Sequence, residues 1–148
     1  MLKIINSKQS KELDNISINK ELSSKDTLIE NAGKAIAYHI IESIEDPFNS
    51  TFLCVSGKGN NGMDAIVTNK YLMQNNIEST LLLVDDIVLE MDILKDINYL
   101  TMTDKLDFSI YDYIIDGLFG TGLNRDVDGV FNQVVKQMQK HDSVISID

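Results

Sequence analysis

The chain has 148 residues, of which 43% are hydrophobic and 24% charged, and this is the size and composition of one globular domain. Its formal charge of -10 disfavours extended contact with nucleic acid or an anionic membrane, because both are polyanions. Cys54 is the single cysteine and no stretch approaches the roughly 20 apolar residues of a membrane span, so we expect a cytoplasmic domain without disulfides.

The hydrophobic pattern predicts strands that alternate with helices. Apolar residues that recur every three or four positions indicate helices, and short apolar runs indicate buried strands. Ser23 or Ser24 can cap the second helix, which ends before Pro47, and Asp128 can cap the last one. In chain order, the predicted elements are helices at 7–19 and 24–46, a strand at 51–55, a helix at 61–74, a strand at 79–84, a helix at 88–100, a strand at 111–115, a helix at 130–138 and a strand at 143–147.

This alternation predicts an α/β fold of the Rossmann-like three-layer type, with a mostly parallel sheet and helices on both faces. The chain stops at Asp148, directly after the fourth predicted strand. We therefore expect the domain at 1–148 to be incomplete at its C-terminal end. Open α/β sheets bind ligands at the carboxyl ends of their strands, so part of the site is expected to be missing.

A first glycine-rich turn, residues 57–64, follows the first predicted strand and opens a helix. Backbone N–H groups at such a position can hold a phosphate. Its three glycines satisfy the dinucleotide-binding pattern, and Asp85 or Asp86 ends the next strand where a ribose-binding acid would lie. A nicotinamide-dependent oxidoreductase is therefore one interpretation, although it gives no role to the side chains of Asn60 and Asn61.

A second glycine-rich turn, residues 116–126, follows the third predicted strand and must emerge at the same edge of a parallel sheet. Arg125 can pair with a phosphate in a two-pronged geometry, and Asp116 can offer an oxygen to a metal ion or a ribose. The two turns are therefore expected to converge on one ligand.

The order and spacing of four motifs are more specific. These motifs are Leu-Ile-Glu-Asn-Ala-Gly at 28–33, Gly-Asn-Asn-Gly-Met-Asp at 59–64, the second turn extended to 116–129, and Val-Ile-Ser-Ile-Asp at 144–148. In this combination the chain resembles the YjeF N-terminal domain family, the NAD(P)H-hydrate epimerases. The likeness covers essentially the whole chain.

The resemblance implies an isomerase of metabolite repair that interconverts the R and S forms of hydrated NADH and NADPH, called NADHX and NADPHX. It implies a potassium ion held by Asn61 and Asp116, a functional partnership with an NAD(P)HX dehydratase, and a homodimer. The implied substrate-binding residues are Asn60, Asn61, Gly62, Met63, Asp64, Gly120, Thr121, Gly122, Leu123, Asn124, Arg125, Asp126 and Asp148.

Two departures from the family pattern matter. Met63 stands where the family usually has glycine, so its side chain is expected to narrow the pocket. The family pattern continues after Asp148 with proline, serine and glycine, which this sequence does not include, so we expect the potassium site to lack the serine that the resemblance implies.

The epimerised carbon bears a hydroxyl beside the ring nitrogen, so its configuration is lost by expelling the hydroxyl or by opening the ring. Either route needs a proton transfer, which a positioned carboxylate can perform. Asp148 is our first candidate for this catalytic group and Asp64 the second. Some family members are non-catalytic binding scaffolds, and that alternative remains open.

Overall fold

The computed structural model describes residues 6–19, 24–85, 94–102, 105–120, 123–124 and 126–147. The described helices and strands follow one another in the predicted order, with one additional strand. They are α1 (Ser7–Asn19), α2 (Lys25–Ser43), β1 (Thr51–Ser56), α3 (Asn60–Gln74), β2 (Glu78–Leu83), β3 (Tyr99–Thr101), β4 (Tyr113–Gly117), α4 (Gly129–Met138) and β5 (Val144–Ser146).

Within the described residues the sheet has five strands in the order β3-β2-β1-β4-β5, and every neighbouring pair is parallel. Helices α2 and α3 cover one face, where they pack on Phe52 and Cys54 of β1. Helix α4 covers the other face, where Leu53 and Val55 of the same strand point. The predicted α/β fold is confirmed, and β1 is a continuous apolar run because both of its faces are buried.

Side-chain caps fix the starts of the first two helices. Asn6 and Gln9 exchange hydrogen bonds of 2.9 Å between each side chain and the other's backbone N–H, which is a capping box at the start of α1. The backbone N–H of Thr27 donates to Ser24 Oγ at 3.1 Å, so the predicted cap of α2 is confirmed at Ser24. Ser23 lies outside the described residues.

Several details of the prediction are wrong, and one of them is the end of α2, which lies at Ser43 rather than at residue 46. Tyr99 and Leu100, placed at the end of a helix at 88–100, instead belong to β3, because this apolar, aromatic segment pairs with Leu81–Leu83 of β2. The strand expected at 111–115 is shifted to Tyr113–Gly117. Asp128 precedes α4, but its side chain caps nothing, and its carbonyl accepts the N–H of Asn132 at 3.2 Å. Residues 88–93 lie outside the described residues.

Cys54 lies fully buried in the middle of the sheet. Burial raises the pKa of its thiol to about 12, so the side chain stays protonated and serves as a small apolar core residue. In the part of the chain that the structure describes, no helix combines the length and apolarity needed to cross a bilayer.

Candidate functional site

A cavity of about 1080 Å³ opens at the carboxyl ends of β1 and β4. The strand order reverses at this point, because the chain runs from β1 out to β2 and β3 and then returns to β4 on the other side of β1. Open α/β sheets bind their ligands at such a reversal. The two glycine-rich turns both line this cavity, so the predicted convergence is confirmed.

The first turn packs backbone against backbone. A Cβ atom added at Gly57 would collide with the carbonyl of Leu118, and one added at Gly62 would collide with the carbonyl of Gly57. The N–H of Gly57 donates to the carbonyl of Gly117 at 3.3 Å, and Ser56 Oγ donates to the carbonyl of Gly62 at 3.0 Å. Glycine is therefore required at both positions by close approach.

The N-terminus of α3 points donors at the cavity. Its first internal hydrogen bond runs from Met63 N–H to the carbonyl of Gly59 at 3.1 Å, so the N–H groups at 60–62 have no acceptor within the helix. Gly59, the residue before the helix, has a φ of 133° and offers no side-chain cap. These N–H groups and the helix dipole together favour an anion at this position.

The side chain of Asn61 connects the two turns. Its Nδ2 donates to the carbonyl of Phe119 at 3.0 Å. A Cβ added at Gly120 would lie 2.8 Å from Asn61 Oδ1, so the amide packs directly on the second turn. The bond orients the amide and leaves Oδ1 as an acceptor for a ligand.

Asp64 is a half-buried carboxyl group in the wall of the cavity. Burial, and to a smaller extent the negative charge of Asp14 on α1, raise the pKa of Asp64 from 3.8 to about 6. Within the described chain, no group donates a hydrogen bond to this carboxyl group that would stabilise its charge. A carboxyl group that titrates near neutral pH can both donate and accept a proton.

Asp116 lies at the end of β4 and holds the beginning of the second turn. Its Oδ1 accepts the N–H of Leu118 at 3.0 Å, and its Oδ2 accepts Ser146 Oγ at 3.5 Å. The N–H of Ile147 donates to the carbonyl of Asp116 at 3.1 Å. Asp116 thereby connects the end of β5 to the second glycine-rich turn. Asn61 contacts the same turn through the carbonyl of Phe119.

These features coincide with a known family. Residues 25–148 match the family model described as "YjeF-related protein N-terminus". The chain belongs to this family. The predicted resemblance is thereby confirmed.

Curated relatives of this YjeF-related domain carry the names of repair enzymes. The chain is 33% identical over 139 residues to the NAD(P)H-hydrate epimerase of Oenococcus oeni, covering 88% of this chain and 65% of that protein. It is 29% identical over 164 residues to the bifunctional NAD(P)H-hydrate repair enzyme Nnr of Thermofilum pendens, covering 99% of this chain and 31% of that protein. The chain thus spans just under two thirds of one relative and under one third of the other.

A solved structure has the same fold as this YjeF-related domain. The crystal structure of yeast ynu0, YNL200c, superimposes with a TM-score of 0.80 at 19% sequence identity. The match covers 99% of this chain and 70% of the yeast chain.

The structure brings most of the described candidate residues of this YjeF-related domain to the cavity. Met63 instead packs against the core that α2 and α3 form with the sheet and does not line the cavity, so the expected narrowing of the pocket does not occur. Asp126 is exposed and does not line the cavity. Thr121, Gly122, Arg125 and Asp148 lie outside the described residues. The predicted substrate-binding residues that line the cavity are Asn60, Asn61, Gly62, Asp64, Gly120, Leu123 and Asn124.

In this YjeF-related domain, α1 and the start of α2 form one wall of the cavity, and the sequence analysis did not predict this. Residues from α1 line the cavity although residues 7–19 carry only a weak amphipathic pattern. The motif at 28–33 has two structural roles: Leu28, Ile29 and Ala32 line the cavity, while Gly33 lets α2 approach Val67 of α3. The contributing residues are Asn6, Lys11, Asp14, Asn15, Ile18, Lys25, Leu28, Ile29 and Ala32.

Proposed function

We propose that this chain epimerises NADHX and NADPHX, and that Asp64 performs the proton transfer. The observation that carries the proposal is the half-buried carboxyl group of Asp64, with its raised pKa, inside the cavity formed by the two turns. The names of the curated relatives support the same reaction.

The raised pKa favours a route in which Asp64 begins as an acid. Asp64 protonates the C6 hydroxyl, the C6–O bond breaks as water leaves, and the lone pair of the ring nitrogen forms a C=N bond to C6. Water then adds to the opposite face of C6 and returns its proton to the carboxylate of Asp64. The other epimer results, and no oxidant or reductant is consumed.

The walls of the cavity suit the two ends of such a substrate. The free N–H groups at 60–62 offer donors to phosphate oxygens. Phe119, Leu123 and Phe131 form an apolar wall on the side of the second turn, which suits a flat ring. Arg125, Thr121 and Gly122 belong to this turn in sequence, and we propose that they also bind substrate.

We propose a potassium site on Asn61, which lines the cavity, and Asp116, which lies at the end of β4 beside the second turn and is not itself a lining residue. Both supply oxygens of the kind that a hard cation prefers, and Asn61 Oδ1 is left as an acceptor because the amide nitrogen is used on Phe119. Among the described residues, no group of three or more His, Cys, Asp or Glu side chains comes together, so the set differs from a multi-carboxylate site. When bound, the ion would contribute positive charge near the substrate's phosphates.

A direct assay tests the proposed function. This chain is incubated with a single epimer of NADHX, and interconversion is followed by chromatography with potassium and with sodium as the only added cation. We expect interconversion faster than the spontaneous rate, and faster with potassium. A rate equal to the spontaneous one in both salts would refute the proposal and favour a non-catalytic scaffold of the same fold.

The oxidoreductase interpretation has less support. Asp85 follows β2, where a dinucleotide-dependent oxidoreductase would have its ribose-binding acid, but Asp85 does not line the cavity. Asp86 lies outside the described residues.

The names of the bifunctional relatives indicate which enzyme could act together with this domain. Their names support a link between this domain and a second repair activity, and we propose that it is an NAD(P)HX dehydratase. The homodimer stays a prediction.

The pKa of Asp64 predicts a pH dependence. If the protonated carboxyl group starts the reaction, kcat/KM is high below about pH 6 and falls as the pH rises through this value. Replacing Asp14 by Asn removes a nearby negative charge, which lowers the pKa of Asp64 and shifts the midpoint of the profile to lower pH. The measurement is kcat/KM from pH 5 to 8, corrected for the spontaneous rate.

Glu12→Gln is the matched control for Asp14→Asn. It removes the same charge from α1, but Glu12 is exposed and does not line the cavity. The profile of Glu12→Gln is expected to coincide with that of the wild type. Equal midpoints for Asp14→Asn and the wild type would contradict the effect assigned to Asp14.

A further inference from the structure

Among the residues that the structure describes, three lysines from separate segments line the same cavity. Lys11 comes from α1, Lys25 is the first residue of α2, and Lys58 lies in the first glycine-rich turn. The chain as a whole has 23 acidic and 13 basic residues, so a convergence of cations does not follow from its general composition.

These lysines have no carboxylate partner among the described residues. The ion pair found in that part of the chain joins Lys70 to Glu30, on the outer surface of α2 and α3. Asp14 and Asp64 also line the cavity, but neither forms an ion pair with Lys11, Lys25 or Lys58. Ammonium groups that face a cavity without partners are available to an anionic ligand.

Apolar side chains also line this cavity, both from α1 and α2 (Ile18, Leu28, Ile29) and from the second turn and α4. Leu118, Phe119, Leu123 and Phe131 belong to the second turn and α4. The lysines lie on the side formed by α1, α2 and the first turn, where the N-terminus of α3 also presents its N–H groups. The phosphates of a ligand could therefore contact the lysines and these N–H groups, while a flat ring of the same ligand contacts apolar side chains of the cavity.

We propose that Lys11, Lys25 and Lys58 bind the phosphate groups of the dinucleotide, so that α1 is part of the substrate-binding site. Helix α1 lies before the residues 25–148 that match the family model, and the motifs of the family assign no role to it. The inference rests on the proposed function in one respect, namely that the ligand is a nicotinamide dinucleotide.

Binding of NADP⁺, which cannot be epimerised, tests the inference without reference to activity. Affinity is measured by isothermal titration calorimetry for the wild type, Lys11→Gln and Lys25→Gln. Each substitution is expected to weaken binding about three- to tenfold, as befits charge-assisted contacts at a partly exposed site. Inorganic pyrophosphate is expected to compete with NADP⁺ in the wild type, and less effectively in the variants.

Lys8→Gln is the matched control, because Lys8 is exposed on α1 but does not line the cavity. It removes the same charge and is expected to leave the affinity unchanged. Circular dichroism checks that all three variants retain the helix content of the wild type.

The possible outcomes separate this inference from the proposed function. Weakening in Lys11→Gln and Lys25→Gln, but not in Lys8→Gln, supports the inference even if the chain does not epimerise NADHX. Equal affinities in all variants, equal weakening in all three, or no binding of NADP⁺ by the wild type each overturn it. Failure of pyrophosphate to compete also overturns it, because the lysines would then contact another part of the ligand.

Discussion

Asp64→Asn is expected to lower the rate of NADHX epimerisation at least about a hundredfold, which is the usual contribution of a general acid–base group. Asparagine keeps the shape of the side chain but can neither donate nor accept the proton that the C6 hydroxyl requires. Asp64 is half-buried beside Asp14, and the asparagine amide has nearly the same size as the carboxyl group that it replaces. The variant is therefore expected to bind NADP⁺ with nearly the wild-type affinity, so the loss appears in kcat.

Asp142→Asn is the control for this experiment. Asp142 is exposed and precedes β5, so it lies at the edge of the sheet opposite the cavity. Its kcat and KM should equal those of the wild type. A kcat for Asp64→Asn within about threefold of the wild type would contradict the assignment, since a positioned general acid contributes far more.

Asp148→Asn distinguishes the two carboxyl groups named from the sequence. Asp148 follows Ile147, which lines the cavity, but Asp148 itself lies outside the described residues. If Asp148 instead carries the proton, Asp148→Asn loses activity and Asp64→Asn retains it. If one carboxyl group acts as the acid and the other as the base, both variants lose activity. The pH profile of each variant then lacks the titration of the group that was replaced.

The strands next to the site could be predicted because their sequence pattern is compatible with only one type of secondary structure. The run at 51–55 is apolar from Phe52 onward and is followed by the glycine-rich turn at 57–64, so it predicts a strand buried on both faces and followed by a turn. The segment that contains β3 could not be predicted in this way. Tyr99 and Leu100 fit a helical spacing equally well, and only pairing with β2 decides their conformation.

The parts of the candidate site that are formed by backbone turns could be predicted from the sequence. The glycine patterns of the two turns can be recognised in the sequence. Which residues of α1 line the cavity, in contrast, depends on how the helix packs against the rest of the domain. Met63 illustrates the same limit. Its neighbour Asp64 faces the cavity, but one position earlier on the helix the side chain turns to the core.

Gly57→Ala is expected to lower the free energy of unfolding by about 3 kcal/mol or more, at the upper end of the cost of overpacking. The added methyl group would collide with the backbone carbonyl of Leu118, and neither partner can rotate away. Both residues follow directly on strands that pair with each other, so relief requires the carboxyl ends of β1 and β4 to separate. The measurement is urea denaturation followed by circular dichroism.

Gly120→Ala is the matched comparison, because its added methyl group meets a side chain rather than the backbone. The nearest atom is Asn61 Oδ1 at 2.8 Å, and the amide can rotate away at the cost of its bond to the carbonyl of Phe119. Losing one such bond costs about 1 kcal/mol, so Gly120→Ala is expected to be much less destabilising than Gly57→Ala. Equal losses of stability would mean that the turns are not held by backbone contact at Gly57. The expected difference therefore separates two contacts between the turns, the backbone contact at Gly57 and the side-chain contact of Asn61.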